Sequence, residues 1–408
     1  MKKGNPHLQE FLASIRLPHH NRTTMTQAEV LQFIADGTMF GLVECDVRVP
    51  PALTETFAEM TPIFKNVDIT KEDIGAHMKN YAERAGVFKA PRRSLIGSMF
   101  GSKIMLATPL LRWYLSHGLV VDHVYEVVEY SRRNCFRAFG ESVSNARRAG
   151  DRDQSNSILA DTMKLLGNSA YGKTVTNQER HRVVKVADET DAPCLVNDDH
   201  FRALHDLGDG VYEVELTKKT ISLNLPIQIG FFVYQYAKLR MLQFYYDFLV
   251  KFVHLTDFEM CEMDTDSGEN RDELIRTDKR EVYETEKIDW FPRDDTDAHK
   301  AFDKRTPGLF KIEWEGRGIV ALCSKTYFCF GDQNKVSCKG LNKKTNEITK
   351  EKYLNVLRLQ APGSGINRGF RMRDGDMYTY EQTKTAFTYL YPKRKVHEDG
   401  RSTTYLDL

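Results

Sequence analysis

The chain has 408 residues, 41% of them hydrophobic, 11% aromatic and 28% charged. That balance fits a folded protein with a substantial core and two or three subdomains, and it excludes a disordered or low-complexity chain. With 58 basic against 57 acidic residues the net charge is +1, so whole-chain electrostatics do not advertise a nucleic-acid partner; no 18-residue apolar run reads as a membrane span, the opening segment lacks the apolar stretch of a secretory signal, and seven cysteines without a CxxC pair read as reduced intracellular thiols.

In chain order, Thr26 to Ala35 predicts a helix capped by Thr24 or Thr26 and stopped at Gly37. Leu42 to Val49 alternates strictly, with Val43, Cys45, Val47 and Val49 on one face and Glu44, Asp46 and Arg48 on the other, so it predicts a half-buried strand ended by Pro50 and Pro51. On that reading Asp46 is a solvated acidic residue. A helix follows around Lys71 to Ala85, and Thr108 and Pro109 open another that stops at Gly118. Val120 to Tyr130 predicts a strand, and Arg132 to Arg148 is basic and partly helical.

Asp161 to Thr174, DTMKLLGNSAYGKT, concentrates the polar chemistry. On a helix, Lys164, Asn168 and Tyr171 fall within an arc of roughly 60°, opposite Ile158, Leu159, Leu165, Leu166 and Ala170. The expectation is that the apolar side packs while the polar side presents a cation, an amide and an aromatic ring, groups suited to a phosphate and a base or sugar. An ordinary polar helix face has the same pattern.

Tyr212 to Leu216 predicts a short strand. Leu225 to Phe252 predicts one long helix whose aromatic residues are core, and Met260 to Met263 a strand entering the acidic turn CEMDTDS, Cys261 to Ser267. Asp264 and Asp266, at i and i+2, project to one side of an extended segment, the arrangement that two-metal phosphoryl transfer requires of carboxylates; an Asp-rich turn without a metal is the plain alternative. Further on, GLFKIEWEG and GIVALCSKTYFCFG predict paired strands turning through Glu315 to Gly318. Charge is segregated locally: Arg84 to Arg148 holds 11 basic against 4 acidic residues, and Asp257 to Asp303 holds 17 acidic against 7 basic.

KLLGNSAYG, DTDS and the SKTY of Ser324 to Tyr327, in this order and separation, resemble family B DNA polymerases of the protein-primed class found in viruses and transposons. The resemblance implies an α+β fold: a right-hand palm with helical fingers and a partial thumb, divided as 1–140 (N-terminal part of the palm with an insertion), 141–178 (fingers), 179–300 (palm with DTDS) and 301–408 (thumb-like). It implies Asp266 and Asp264 as catalytic metal ligands for Mg2+, with Mn2+ as a substitute. Lys164, Asn168, Tyr171 and Arg147, the last with its neighbour Arg148, are the implied nucleotide contacts, Gly172 allowing close approach of the backbone. Lys325 and Tyr327 are the implied contacts to primer-template DNA. Its partners are primer-template DNA, deoxynucleoside triphosphates and a priming terminal protein, with no membrane. The first catalytic aspartate of the family, in a motif resembling DxxSLYPS, has no matching string; Asp46 is the nearest strand-borne candidate. The segment after Ser267 looks shortened, and no exonuclease domain is expected within the chain. A decayed palm that only binds DNA, and a metal-dependent nuclease, are the rival readings.

Overall fold

The computed structural model describes residues 25–134, 136–258, 271–310, 314–373 and 376–408. It is 37% helix and 28% strand, arranged in small sheets whose strand pairs are all antiparallel among the described residues.

The central sheet has the order β4-β1-β5, with β1 spanning Gly41–Arg48, β4 Phe100–Ala107 and β5 Val120–Glu129. The alternation read from the sequence holds: Val43, Cys45, Val47 and Val49 are buried, while Glu44, Asp46 and Arg48 are half-buried. Each fully buried valine contributes about 1.5–3 kcal/mol by leaving water. Their partners come from helix α1 (Gln27–Ala35), helix α3 (Thr108–Ser116) and helix α6 (Ile227–Leu242). Thr26 caps α1 in a reciprocal box with Glu29, and Gly37 ends it at φ +85°.

A second core joins distant parts of the chain. The ribbon of β2 (Ile63–Ile69) with β3 (Arg92–Ser98) and helix α2 (Gly75–Arg84) packs against β9 (Gly318–Cys323), β10 (Thr326–Phe330), helix α8 (Lys350–Leu359) and Phe387 to Leu406. Residues of the first and last expected segments thus share one core, Ile69, Met78 and Ile96 leaving water against apolar side chains of the C-terminal third. The hairpin in this region also differs from expectation. Its turn lies at Ser324 and Lys325, with Lys325 at φ +62°, joining β9 to β10, and not at Glu315 to Gly318. A third sheet, β6-β8-β7, comprises Arg182–Asp188, Val211–Thr217 and Phe201–Gly208; only its central strand is visible in the sequence pattern.

The long helix beginning after Pro226 is continuous to Phe252 but changes to π-helical over Gln243–Leu249. The wider turn shifts the face presented, so that Phe244, Phe248 and Phe252 enter an aromatic cluster with Tyr283, Trp290 and Phe310 while Asp247 meets α3. There Asp247 accepts from Trp113 Nε1 at 2.9 Å and from His117 Nε2 at 2.7 Å, and His117 Nδ1 faces the Trp113 carbonyl at 2.9 Å. Nε2 thus donates to the Asp247 carboxylate, while Nδ1 lies near both the Trp113 carbonyl and the Ser116 hydroxyl, at 3.1 Å from the latter, a setting that accommodates the doubly protonated ring. Burial opposes that charge, but the Asp247 bond, the Trp113 carbonyl and the Asp247 charge together raise the His117 pKa above its usual 6.5. A raised folded pKa stabilises fully below the unfolded value and is lost as pH rises through the folded one. Asp247→Asn is expected to remove this pH dependence and about 1 kcal/mol of low-pH stability, given the pair's partial exposure. Urea unfolding at about pH 5.5 and about pH 8.5 tests this; an unchanged pH slope in the variant would refute it.

Candidate nucleotide site on a helical hairpin

Helix α4 (Arg137–Arg152) and helix α5 (Ser157–Thr174) form an antiparallel hairpin. Between them, Asp153 accepts from Ser155 N and Oγ at 2.9 and 2.6 Å, which turns the chain and lowers the Asp153 pKa through those bonds. The packing face is made of small residues. A Cβ placed on Gly150 would lie 2.4 Å from the Ala160 Cβ, and one on Gly167 would lie 3.2 Å from Val143 Cγ1. This corrects the expectation that Leu165 and Leu166 pack inward. Ile158, Leu159, Leu165 and Leu166 are 80%, 51%, 67% and 49% exposed, because two backbones this close leave no room for large side chains between them.

The register brings Arg147 level with Met163 and Lys164, and helical geometry puts Arg147 and Lys164 each about 50° to the same side of the contact line. Lys164 and Asn168 are exposed on that edge, and Tyr171 is half-buried with its ring edge-on to Tyr234 at 5.7 Å. Gly172 has open space where a Cβ would sit. The close approach occurs instead at Gly230, where a Cβ would meet Thr174 Oγ1 at 2.4 Å.

Arg147 and Arg148, equivalent in the sequence reading, have different surroundings. Arg148 Nε donates to the Phe302 carbonyl at 3.0 Å, Nη1 to Asn145 Oδ1 at 2.9 Å and Nη2 to Thr306 Oγ1 at 3.0 Å, and its guanidinium lies 3.7 Å from the Phe302 ring centroid. It ties α4 to helix α7 (Asp297–Asp303) and the loop after it. Arg147 is half-buried and has no hydrogen-bond or ion-pair partner among the described residues. Burial and then the Arg305 charge lower its proton affinity, against the opposing pull of Asp151 and Asp161. Arg305 is itself held by Asp151 at 2.6 and 2.5 Å. Arg305, which no motif signals, is thus a second cation beside Arg147.

Asp46 differs from a freely solvated carboxylate. Its Oδ1 accepts from Ser102 Oγ at 2.8 Å and from the Lys103 amide at 2.7 Å, and its Oδ2 accepts from the Tyr125 hydroxyl at 2.8 Å. The Lys103 amide, then Tyr125 and Ser102, lower its pKa. Three donors on a carboxylate with about four acceptor positions leave about one for anything else. Asp264, Asp266 and the strand expected at Met260 to Met263 lie outside the described residues. Among the described residues, His205, Glu213 and Glu215 form a group of possible metal ligands on β7 and β8, and Arg182 already pairs with Glu215. A histidine-containing set compensated by an arginine does not fit Mg2+, which takes oxygen ligands.

In SKTY, Lys325 is exposed at the β9–β10 turn, but Tyr327 is only 4% exposed and packs with Trp314 and Cys329. Part of the segregated charge is paired locally. Arg93 pairs with Asp68, Arg137 with Glu141, Arg276 with Asp278, Arg293 with Asp303 and Lys287 with Glu284.

Among the described residues no helix is long and apolar enough to cross a membrane. Comparison with protein-family models, with curated proteins and with solved structures finds no match.

Arg148→Ala is expected to lower unfolding free energy by about 1–3 kcal/mol through loss of charged hydrogen bonds. Arg147→Ala is expected to leave it within about 0.5 kcal/mol or raise it, since a neighbouring like charge is removed. Urea unfolding of both variants tests the contrast, and equal destabilisation would show that Arg147 has a structural partner.

Proposed function

We propose that the chain is a DNA-directed DNA polymerase of the protein-primed family B type, adding deoxynucleotides to a 3′ or protein hydroxyl under template direction. The observation that supports this most is Arg147: a half-buried arginine without a partner among the described residues, beside Arg305 and on the same edge of the hairpin as Lys164 and Asn168. Two or three cations along one helical edge suit a triphosphate, whose charge is spread over several oxygens. Tyr171 stands one turn beyond Asn168, where a ring can stack on a base or sugar. Asp264 and Asp266 are the carboxylates that the resemblance assigns to magnesium, and bound magnesium would neutralise charge on the triphosphate. Lys325, at an exposed turn, suits a contact to primer-template backbone. A priming terminal protein and an intracellular setting belong to the same reading.

A second reading, a palm that binds DNA without extending it, is favoured by Asp46. Its carboxylate is committed to Ser102, Lys103 and Tyr125, which leaves it poorly available as the missing first aspartate.

Primer extension with magnesium or manganese, run alongside salt-dependent DNA binding, separates the readings. The expected outcome is binding that weakens steeply with salt and little with sequence, weak extension abolished by Asp266→Ala, and triphosphate affinity reduced about tenfold by Arg147→Ala or Lys164→Ala. Robust extension lost in both Asp266→Ala and Asp46→Ala would show that Asp46 leaves its donors to serve the reaction. DNA binding with no extension in any variant would favour the second reading, and salt-independent binding would overturn both.

A further inference from the structure

The sheet β6-β8-β7 lies between α5 and α6 in the chain and has little core of its own. From Arg182 to Thr217 the buried apolar residues are Ala187, Ala192, Val214 and Leu216, and none of them belongs to the larger apolar clusters of the described residues. One side of the sheet meets the short helix Ala192–Val196, and with two alanines among the buried residues that burial contributes little. The other side is open, with Val184 and Val186 53% and 68% exposed.

Three side chains able to ligate a metal converge on the open side. β7 and β8 form a hairpin closed by Gly208, Asp209 and Gly210, all at positive φ. The register sets His205 directly opposite Glu213, and Glu215, two residues on, returns to the same face. One donor atom from each lies within 4.8 Å of the others, His205 Nε2 standing 3.9 Å from Glu215 Oε1. Glu215 is divided between two neighbours: its Oε2 bonds Arg182, which leaves Oε1 turned to His205. Glu213 is half-buried, and its side chain has no hydrogen-bond or ion-pair partner among the described residues. Val184 and Val186 of β6 stand opposite Glu215 and Glu213, so apolar side chains flank both carboxylates.

Protein contacts alone leave this group incomplete. At 3.9 Å the imidazole and the carboxylate are too far apart for a hydrogen bond, and two glutamates face the single positive charge of Arg182. Donors around a tetrahedral zinc ion, each about 2.0–2.2 Å from it, stand about 3.3 Å from one another. The three donors are set slightly wider than a closed site, and the exposed imidazole can turn through the difference.

We infer that His205, Glu213 and Glu215 bind one divalent transition-metal ion of the zinc class, with water in the fourth position, and that the ion clamps β7 to β8 where the core beneath them is small. Imidazole disfavours magnesium and calcium, which take oxygen ligands, and two carboxylates without a thiolate disfavour copper(I). Arg182 is then the outer partner of a ligating carboxylate, fixing which oxygen faces the ion. The inference stands apart from the polymerase reading, in which these residues take no part.

The test uses the full chain, stripped of metal with EDTA, and cobalt(II) as the probe. A four-coordinate cobalt site with nitrogen and oxygen donors absorbs strongly in the visible, whereas a six-coordinate oxygen site absorbs weakly. A single equivalent of the strongly absorbing species is expected, bleached by zinc and unaffected by about a hundredfold excess of magnesium. His205→Asn and Glu213→Gln are each expected to weaken cobalt binding by more than about tenfold, and Asp264→Ala with Asp266→Ala to leave it unchanged. Matching thermal unfolding of the metal-free proteins establishes that the variants fold. Zinc is also expected to slow tryptic cleavage after Arg202, in β7, severalfold in the wild type and not in His205→Asn. No strongly absorbing species, a spectrum undiminished in His205→Asn, its loss in the Asp264 and Asp266 variant, or its displacement by magnesium would each overturn the metal site; cobalt and zinc binding without slower cleavage would overturn the clamp.

Discussion

The constraint on which most of the structure depends is the burial of one face of β1. Both edges of this strand are hydrogen-bonded, to β4 and β5, so its only freedom is in what covers its two surfaces. Val43, Cys45, Val47 and Val49 demand an apolar cover, and α1, α3 and α6 supply it from segments up to about two hundred residues away. Once those helices are seated, α6 carries its N-terminus to the end of α5, where Gly230 lets the two backbones meet at Thr174. The opposite face of the same strand carries Asp46. A single alternating segment therefore sets the position of the core, the candidate carboxylate and, through α6, the root of the helical hairpin.

The hairpin itself follows a different rule. Gly150, Ala160 and Gly167 contribute almost no hydrophobic area, yet they decide how near α4 and α5 lie. Close helices bring side chains flanking the contact line together, which is why Arg147 and Lys164 share an edge and why Arg147 is left half-buried beside Arg305. Crowding two guanidinium groups is unfavourable unless an anion joins them. Asp151 is hydrogen-bonded to Arg305, and with Asp161 it offsets the charge of Arg147 only from a distance, so Arg147 keeps its donors unbonded among the described residues.

Much of the local structure was legible because it is locally determined. Thr26 and Gly37 mark a helix by capping and termination, and the strict alternation of Leu42 to Val49 can bury only one face. What misled was information held elsewhere in the chain. The leucines of α5 look like a packing face, but a helix whose partner presents Gly150 packs through its own small residues. β6 shows little alternation, with Val183, Val184 and Val186 all exposed, so nothing periodic distinguished it from a loop. The turn at Ser324 and Lys325 has neither Gly nor Asn, and a lysine at positive φ is a weak sequence signal. Arg147 and Arg148 are indistinguishable until α7 and the Phe302 ring claim one of them.

The same separation between local and distant information bears on Asp46. A carboxylate can be held in place by protein donors or held available for metal ions, and each bond from Ser102, Lys103 or Tyr125 strengthens the first role at the expense of the second. These bonds join β1 to β4 and β5 on the half-buried face of the sheet, the face opposite Val43, Cys45 and Val47. Two register irregularities lie at this point, between Cys45 and Val47 against β4 and between Asp46 and Val47 against β5. A strand irregular on both edges gains most from a side chain that spans them. Asp46 thus has a structural reason to exist that requires no metal, and any part it takes in chemistry has to compete with that one.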